Sequence, residues 1–539
     1  MRRPFGVVAV LCILLSAGVT AAAVINVPGD YALIHDAVQA AQPGDVVQVA
    51  AGTYTDCTHE TTGPGSTPAC VIMREGVILR GSGQAATIID AEGLGRGIYM
   101  EGLSSGGVEN LQVRNAYAPN YGSGILARQT GEGYLIQDVT VQDCTDGGVI
   151  LFNGTHLTLR NSVIRNNVAK QGGGLSIEEQ SSPRIENCQI LGNQAPSGAG
   201  VFIRAGSDPV LRDCLIDGNA IDSPFGQGAG IFIGESSPYI SHCDIINNVG
   251  RGNGGGVAYQ LNSGGRMEAC VIAGNSVIDA FVNGAGLSVD SSDPMIVGCA
   301  ILDNTLTGSG SDGAGVFAIF SPSPTLVNCT IDANTTASGG SGGGVMAFFG
   351  AAPVLERCIV SNSVAGAGLA CVGGDIVISC SDVYGNAGGD ELCGTDGGGN
   401  ISADPQFCSN GSRALTAGSP CLSVCGGAIG ANPYECDGVS TGVDAPRVAA
   451  RLLGNHPNPF NPSTTISFEL DAPAVATVRI LNVAGDVVAT LTLGDLPAGR
   501  HAAVWNGRDA SGRPAASGVY LYELQALGTR QTRQMILIK

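Results

Sequence analysis

The stretch Ser182–Gly200, SPRIENCQILGNQAPSGAG, restricts the fold most, because the chain repeats it with variations. Pro183, Ile185, Cys188, Ile190 and Asn193 mark one copy, and Pro209, Leu211, Cys214, Ile216 and Asn219 the next. Further copies centre on Cys243, Cys299 and Cys329; the copy on Cys270 lacks its Pro and that on Cys358 its Asn. Successive cysteines lie 26, 29, 27, 29, 30 and 29 residues apart. Units this short cannot bury an apolar face alone, and they are shorter than propeller blades of about 40–45 residues. They must stack as parallel coils, each pairing with the next about 4.8 Å along an axis.

A second strand in each coil opens on a Gly: Gly97, Gly124, Gly148, Gly174, Gly200, Gly230, Gly256, Gly286, Gly315, Gly344 and Gly368. Behind each Gly the chain alternates inward and outward, as in Val201, Phe202, Ile203. A short third strand completes the expected coil, and the array spans about 50 Å. The ladder cysteines occupy an apolar alternation and read as small buried hydrophobes. One sulfur per coil makes a line, not the converging set a soft metal needs, so no metal site is expected. Asn166, Asn193, Asn219, Asn248, Asn275, Asn304 and Asn334 follow at the bend, where stacked side-chain amides would bond from coil to coil.

Arg2 and Arg3, an apolar run from Phe5 to Val19 and Ala21 to Ala23 predict a secretory signal peptide over residues 1–23. No later stretch is long and apolar enough to span a membrane. Residues 24–54 read as strand, helix, turn, strand, with Asp30 as N-cap and the helix covering the open end of the first coil. Without Cys12 of the signal segment, 17 of the 18 cysteines remain. Off the ladder, Cys57 with Cys70, Cys380 with Cys393, Cys408 with Cys421 and Cys425 with Cys436 are the close pairs expected to form disulfides. Residues 24–445 carry fifteen basic and forty acidic side chains. Such a surface excludes nucleic acid as a partner.

The segment IHDAVQAAQPGDVVQVAAGTYT and the repeated GGG[LV]xI and SPxIxxCxIxxN units resemble right-handed parallel β-helix proteins of the pectate-lyase-like kind, over residues 24–436. That resemblance implies an all-β solenoid; it leaves activity open, since one coil serves lyases, hydrolases, epimerases and adhesins. Residues 437–447 read as a linker, and 448–539 alternate as about seven strands of an Ig-like sandwich around Trp505. LLGNHPNPFNPSTTISFEL and WNGRDASGRPAASGVYLYEL resemble the Ig-like domain of the flagellar hook-capping protein and, equally, the sorting domain of type IX secretion. The resemblance implies a bacterial protein, secreted or displayed on the cell surface, with the secretion machinery as a partner.

Chemistry is expected on the Gly-led strands. Two and four residues after the Gly, the outward positions hold Phe152, Phe202, Phe232, Phe317 and Phe348, a concentration given 13 Phe in the chain. Two readings follow: loops bury these rings as a satellite core, or the rings line a glycan groove. Glu178 and Arg204 on neighbouring coils are the candidate acid and base of an alternative, in which the chain is a polysaccharide lyase or glycoside hydrolase. The paired carboxylates of a glycosidase do not occur on adjacent rungs of this face. No cofactor is expected; acidic turns such as Asp208, Asp213, Asp217 and Asp222 could bind Ca²⁺, but no Ca²⁺ motif supports it. The leading expectation is a non-catalytic carbohydrate-binding or adhesive rod.

Overall fold

The protein's structure is a computed structural model, which describes residues 22–61, 67–118, 124–337, 340–408, 413–431, 450–456, 460–470, 473–482, 487–497, 499–510, 512–526 and 529–537. Nearly all of the expected signal peptide, the 437–447 linker and Cys436 lie outside the described residues.

One coil runs through the Gly-led strand Val201–Arg204, then Val210–Arg212, Leu215–Asp217 and Ala220–Ile221. Every strand pairs in parallel with its counterpart one coil on, for example Val201 with Ile231 and Ile216 with Ile245. The eleven Gly-led strands, with Ala69–Ile72 ahead of them, form a 12-stranded sheet and the final short strands a 5-stranded one. Inward residues of successive coils, such as Ile190, Val201, Ile203, Leu211 and Ile216, stack into one continuous core. The glycines are needed for close approach. A Cβ at Gly200 would lie 2.5 Å from the Gly230 carbonyl oxygen and 2.9 Å from Asn219 Nδ2.

Three side-chain ladders hold the bends. The cysteines stand between two short strands, at a corner rather than mid-strand as the alternation suggested, because the residue before each turns the chain: Asn187, Asp213 and Asn328 have φ of 52°, 54° and 50°. Each thiol donates to a carbonyl, as Cys188 Sγ does to Glu186 O at 3.4 Å. Burial pushes the Cys188 and Cys299 thiols up, so they stay protonated and inert.

The second ladder is of asparagines, with one correction: its first Asn is Asn167, not Asn166. Asn166 is exposed with φ 55°, making the bend, while Asn167 is fully buried and donates Nδ2 to Asn193 Oδ1 at 3.0 Å. From there each Oδ1 accepts from the backbone N–H and the Nδ2 of the preceding rung, as Asn248 Oδ1 does from Asn219 at 2.9 and 3.0 Å. The third ladder runs through Thr155, Ser181, Ser207, Ser236, Ser263 and Ser292, whose hydroxyls accept backbone N–H groups one coil away.

The helix Ile34–Ala40 buries Ile34, Ala37 and Val38 against the first coils. Leu33, not Asp30, stands at its N-cap. Asp30 instead closes the turn before it, accepting from Asn26 N at 2.7 Å.

At the other end, residues 413–431 fold back over the outer face of the last coils. Gly430 N donates to Arg357 O at 2.9 Å, Ala431 N to Thr330 Oγ1 at 2.9 Å, and Arg413 pairs with Asp332 and, at 3.2 Å, Asp303. Leu415, Cys421, Val424 and Ile429 bury Ile359 beneath them. This path re-pairs the cysteines. Cys57 bonds Cys70, but Cys393 bonds Cys371 and Cys380 bonds Cys425, whose Cα atoms the fold-back brings to 5.7 Å. The Cys380–Cys393 and Cys425–Cys436 pairings therefore do not form. Cys408 is disulfide-bonded, while Cys421 keeps a free thiol, so those two are not partners either.

The Cys421 thiol donates to Asp382 Oδ2 at 3.2 Å. Burial pushes the Asp382 carboxyl up to about 6, although Ala403 N–H and the thiol partly hold it down. Burial also pushes Asp138 to about 6. A carboxyl raised from 3.8 favours the native state when protonated; that contribution is complete below pH 3.8 and is lost as pH rises through 6. The melting temperature should thus fall between about pH 4 and 6, and Asp382→Asn should flatten this slope, recovering up to about 3 kcal/mol at pH 7.5. A variant with the wild-type pH profile would refute the assignment. Glu268, Asp90 and Glu75, which hydrogen bonds hold below the usual carboxylate range, act oppositely and lose stability in acid.

Among the described residues the C-terminal region forms seven strands, from Ala450–His456 to Thr529–Leu537. Three make one antiparallel sheet and four another. Trp505 is 1% exposed, packs edge-on against Phe460 and Tyr520, and donates Nε1–H to Arg508 O at 2.9 Å.

Candidate functional site

The two outward rows of the Gly-led sheet differ. The row two residues after each Gly is closed: Ser176, Phe202, Phe232, Ala258, Ser288, Phe317 and Met346 are all buried. From the coil led by Gly174 onward, the incoming loop roofs it with a left-handed glycine. At Gly198, φ +57°, a Cβ would lie 2.7 Å from Phe202 Cβ. Phe202 and Phe232 stack at 5.0 Å in a small second core with Ala258. Phe202, Phe232 and Phe317 therefore do not line an open groove.

The row four residues after each Gly is open. At its N-terminal end Glu101 pairs with Arg128 at 3.1 Å, Tyr99 Oη–H donates to Glu101, and the Arg128 guanidinium lies 5.7 Å over the half-buried Phe152 ring. Burial, then the Glu101 carboxylate, pushes the Tyr99 hydroxyl up and keeps it a donor. Farther along, Glu178 accepts from Ser176 Oγ at 2.6 Å, and Arg204 turns to Glu235 at 3.6 Å. Each candidate of the acid/base pair thus has another partner, and the exposed Arg204–Glu235 pair contributes only about 0–1 kcal/mol.

At the C-terminal end the rings run outward from the core. Buried Phe317 lies 6.1 Å from half-buried Phe348, which lies 4.1 Å from Phe349. Phe349 is 57% exposed, and Phe320 at the same bend one coil earlier is 46% exposed. Alternation could not find these two, because both follow the strand in the left-handed bend, at φ 41° and 60°. The available signal was a Phe at the position where other coils turn on Asn153 or Ser291. Among the described residues, no three His, Cys, Asp or Glu side chains gather to hold a metal ion, and no helix is long and apolar enough to cross a membrane.

The family model for the right-handed β-helix region matches residues 75–252 and 229–407. The chain belongs to the right-handed β-helix family. The FlgD Ig-like domain model matches residues 454–529. No curated protein matches the β-helix chain. Similar solved structures include pectate lyase Pel9A, at 13% identity over 78% of this chain and 97% of that one, TM-score 0.35. The A-module of Azotobacter vinelandii mannuronan C-5 epimerase AlgE4 is 15% identical over 69% and 94%, TM-score 0.34. Tailspike protein gp49 of Acinetobacter baumannii bacteriophage Fri1, a capsular polysaccharide depolymerase, is 13% identical over 97% and 79%, TM-score 0.27. Likeness of this degree carries no chemistry across to this β-helix.

Proposed function

We propose that this β-helix is a non-catalytic carbohydrate-binding rod, exported by a bacterium and held at its surface or released, with the Ig-like domain serving export or anchoring. The exposed rings of Phe320 and Phe349, with half-buried Phe348 packed against Phe349, carry the reading. Flat apolar rings at an accessible edge suit the C–H faces of sugars, and burial does not account for the exposed Phe320 and Phe349. Disulfides at both ends of the rod support an oxidising compartment, hence export. The partitioning of Glu178 and Arg204 to separate partners weighs against catalysis there.

Electrophoresis of the full chain through gels containing neutral or acidic polysaccharide tests the reading, alongside an assay for released reducing or unsaturated ends. Wild type should be retarded by a polysaccharide and release nothing; Phe348→Ala with Phe349→Ala should weaken retardation about tenfold. Release of ends that disappears in Glu178→Gln would replace the rod with a lyase or hydrolase.

A further inference from the structure

A second pair of rings stands on the opposite edge of the Gly-led sheet, in the loops that enter it. Phe225 and Phe281 each lie five residues ahead of a leading Gly, Gly230 and Gly286, two coils apart. They are 81% and 80% exposed, with φ of 65° and 59°. Left-handed backbone strains a bulky L-residue, and neither ring recovers that cost by burial. Burial within this chain gives no reason for a Phe at either place.

The loops holding them are ordered like the strands. Gly228 N donates to Asn253 O, Gly254 N to Asn283 O and Phe281 N to Ser309 O, each at 3.1 Å, while Asn283 N donates to Asn253 Oδ1 at 2.8 Å. The two rings are thus set two coil steps apart, about 9.6 Å. One face of Phe281 rests on Gly310, φ +70°, where a Cβ would lie 2.7 Å from Cε1. The bare glycine admits the ring and leaves its other face to solvent. The coil between presents Arg251, ion-paired with Asp279 at 3.3 Å. The strip reads ring, paired charges, ring.

We infer that Phe225 and Phe281 form a second binding strip for an extended, neutral polysaccharide, its sugars stacking on the two rings while Arg251 and Asp279 meet hydroxyl groups between them. Two coil steps match the length of a disaccharide unit in an extended pyranose chain. A periodic polymer fits rings that recur with the coil. A protein partner needs about 800 Å² of continuous surface, which two isolated rings do not supply. An acidic polymer would meet a chain of net charge −20 and an arginine whose charge is already matched. The inference rests on the glycan-binding reading above but uses other residues, so the two can fail separately.

The test is gel retardation of the full chain by hydroxyethylcellulose, galactomannan and xylan, with pectate and alginate as acidic probes. Phe225→Ala and Phe281→Ala should each weaken retardation by a neutral polysaccharide about tenfold, with unchanged melting temperature because both side chains are exposed. Wild-type retardation in both variants, with loss only in Phe348→Ala/Phe349→Ala, overturns this strip and leaves the glycan reading standing. Retardation by pectate or alginate alone overturns the neutral class, and a wild type that no polysaccharide retards removes both proposals.

Discussion

Asn248→Ala is expected to destabilise the rod by about 3–6 kcal/mol, because it leaves several buried polar groups unsatisfied at about 1–3 kcal/mol each. Asn219 loses the acceptor for both its N–H and its Nδ2, and the Ile216 carbonyl loses the Asn248 Nδ2 donor at 3.1 Å. Asn275 Oδ1 loses one of its two donors. Asn166→Ala is the matched control: its side chain is exposed, so only the left-handed backbone is affected, at about 1–2 kcal/mol. Calorimetric melting of the two variants decides it. An Asn248→Ala protein that melts with wild type would mean that water replaces the ladder without cost.

The second large effect is expected from Cys380→Ser with Cys425→Ser. The bond spans 45 residues, for which the chain-entropy model gives about 4 kcal/mol. Its loss should fall on the fold-back of residues 413–431, held otherwise by Arg413, Gly430 and Ala431 and a small apolar cluster. Limited proteolysis should cut this segment in the double variant while the coils between Gly148 and Gly315 resist. Cleavage spread evenly along the chain would show that the bond secures more than the closing segment.

What could be read from the chain alone follows from how each feature is written in it. The coil was legible because Gly, Cys and Asn each recur once per turn, and one contact explains two of them: the bare Gly200 makes room for the amide of Asn219. Asn166 and Asn167 adjoin, one turning the chain and one facing inward, so the pattern alone does not tell which of them joins the ladder. The serine ladder carried its own signal, a Ser two residues before the Pro at Ser181, Ser207 and Ser236, which the neighbouring Pro obscured.

The fate of the phenylalanines was not legible. Whether Phe202 is covered depends on the course of a loop whose length varies between coils, and that course turns on single left-handed glycines such as Gly198 and Gly228. The exposed rings at Phe225, Phe281 and Phe349 fall outside any alternation, so no period could find them. The Cys380–Cys425 bond was equally hidden, since it joins a coil to a segment that returns across its outer surface.

The asparagine row also has a direction. Each rung hands its two donors forward, from Asn167 through to Asn334, so no rung is complete until its successor is in place. Beyond Ser363, which stands where an Asn would, Asn386 makes the same gesture with no Asn ahead of it: its N–H and Nδ2 both meet Asp390 Oδ1, at 2.9 and 2.8 Å. A carboxylate four residues downstream in the same coil thus acts as the end stop of a one-way chain. A rod built this way can gain or lose whole coils upstream of Asp390 and still finish cleanly. Cut after any coil from that of Asn167 to that of Asn304, it ends on a pair of unanswered donors.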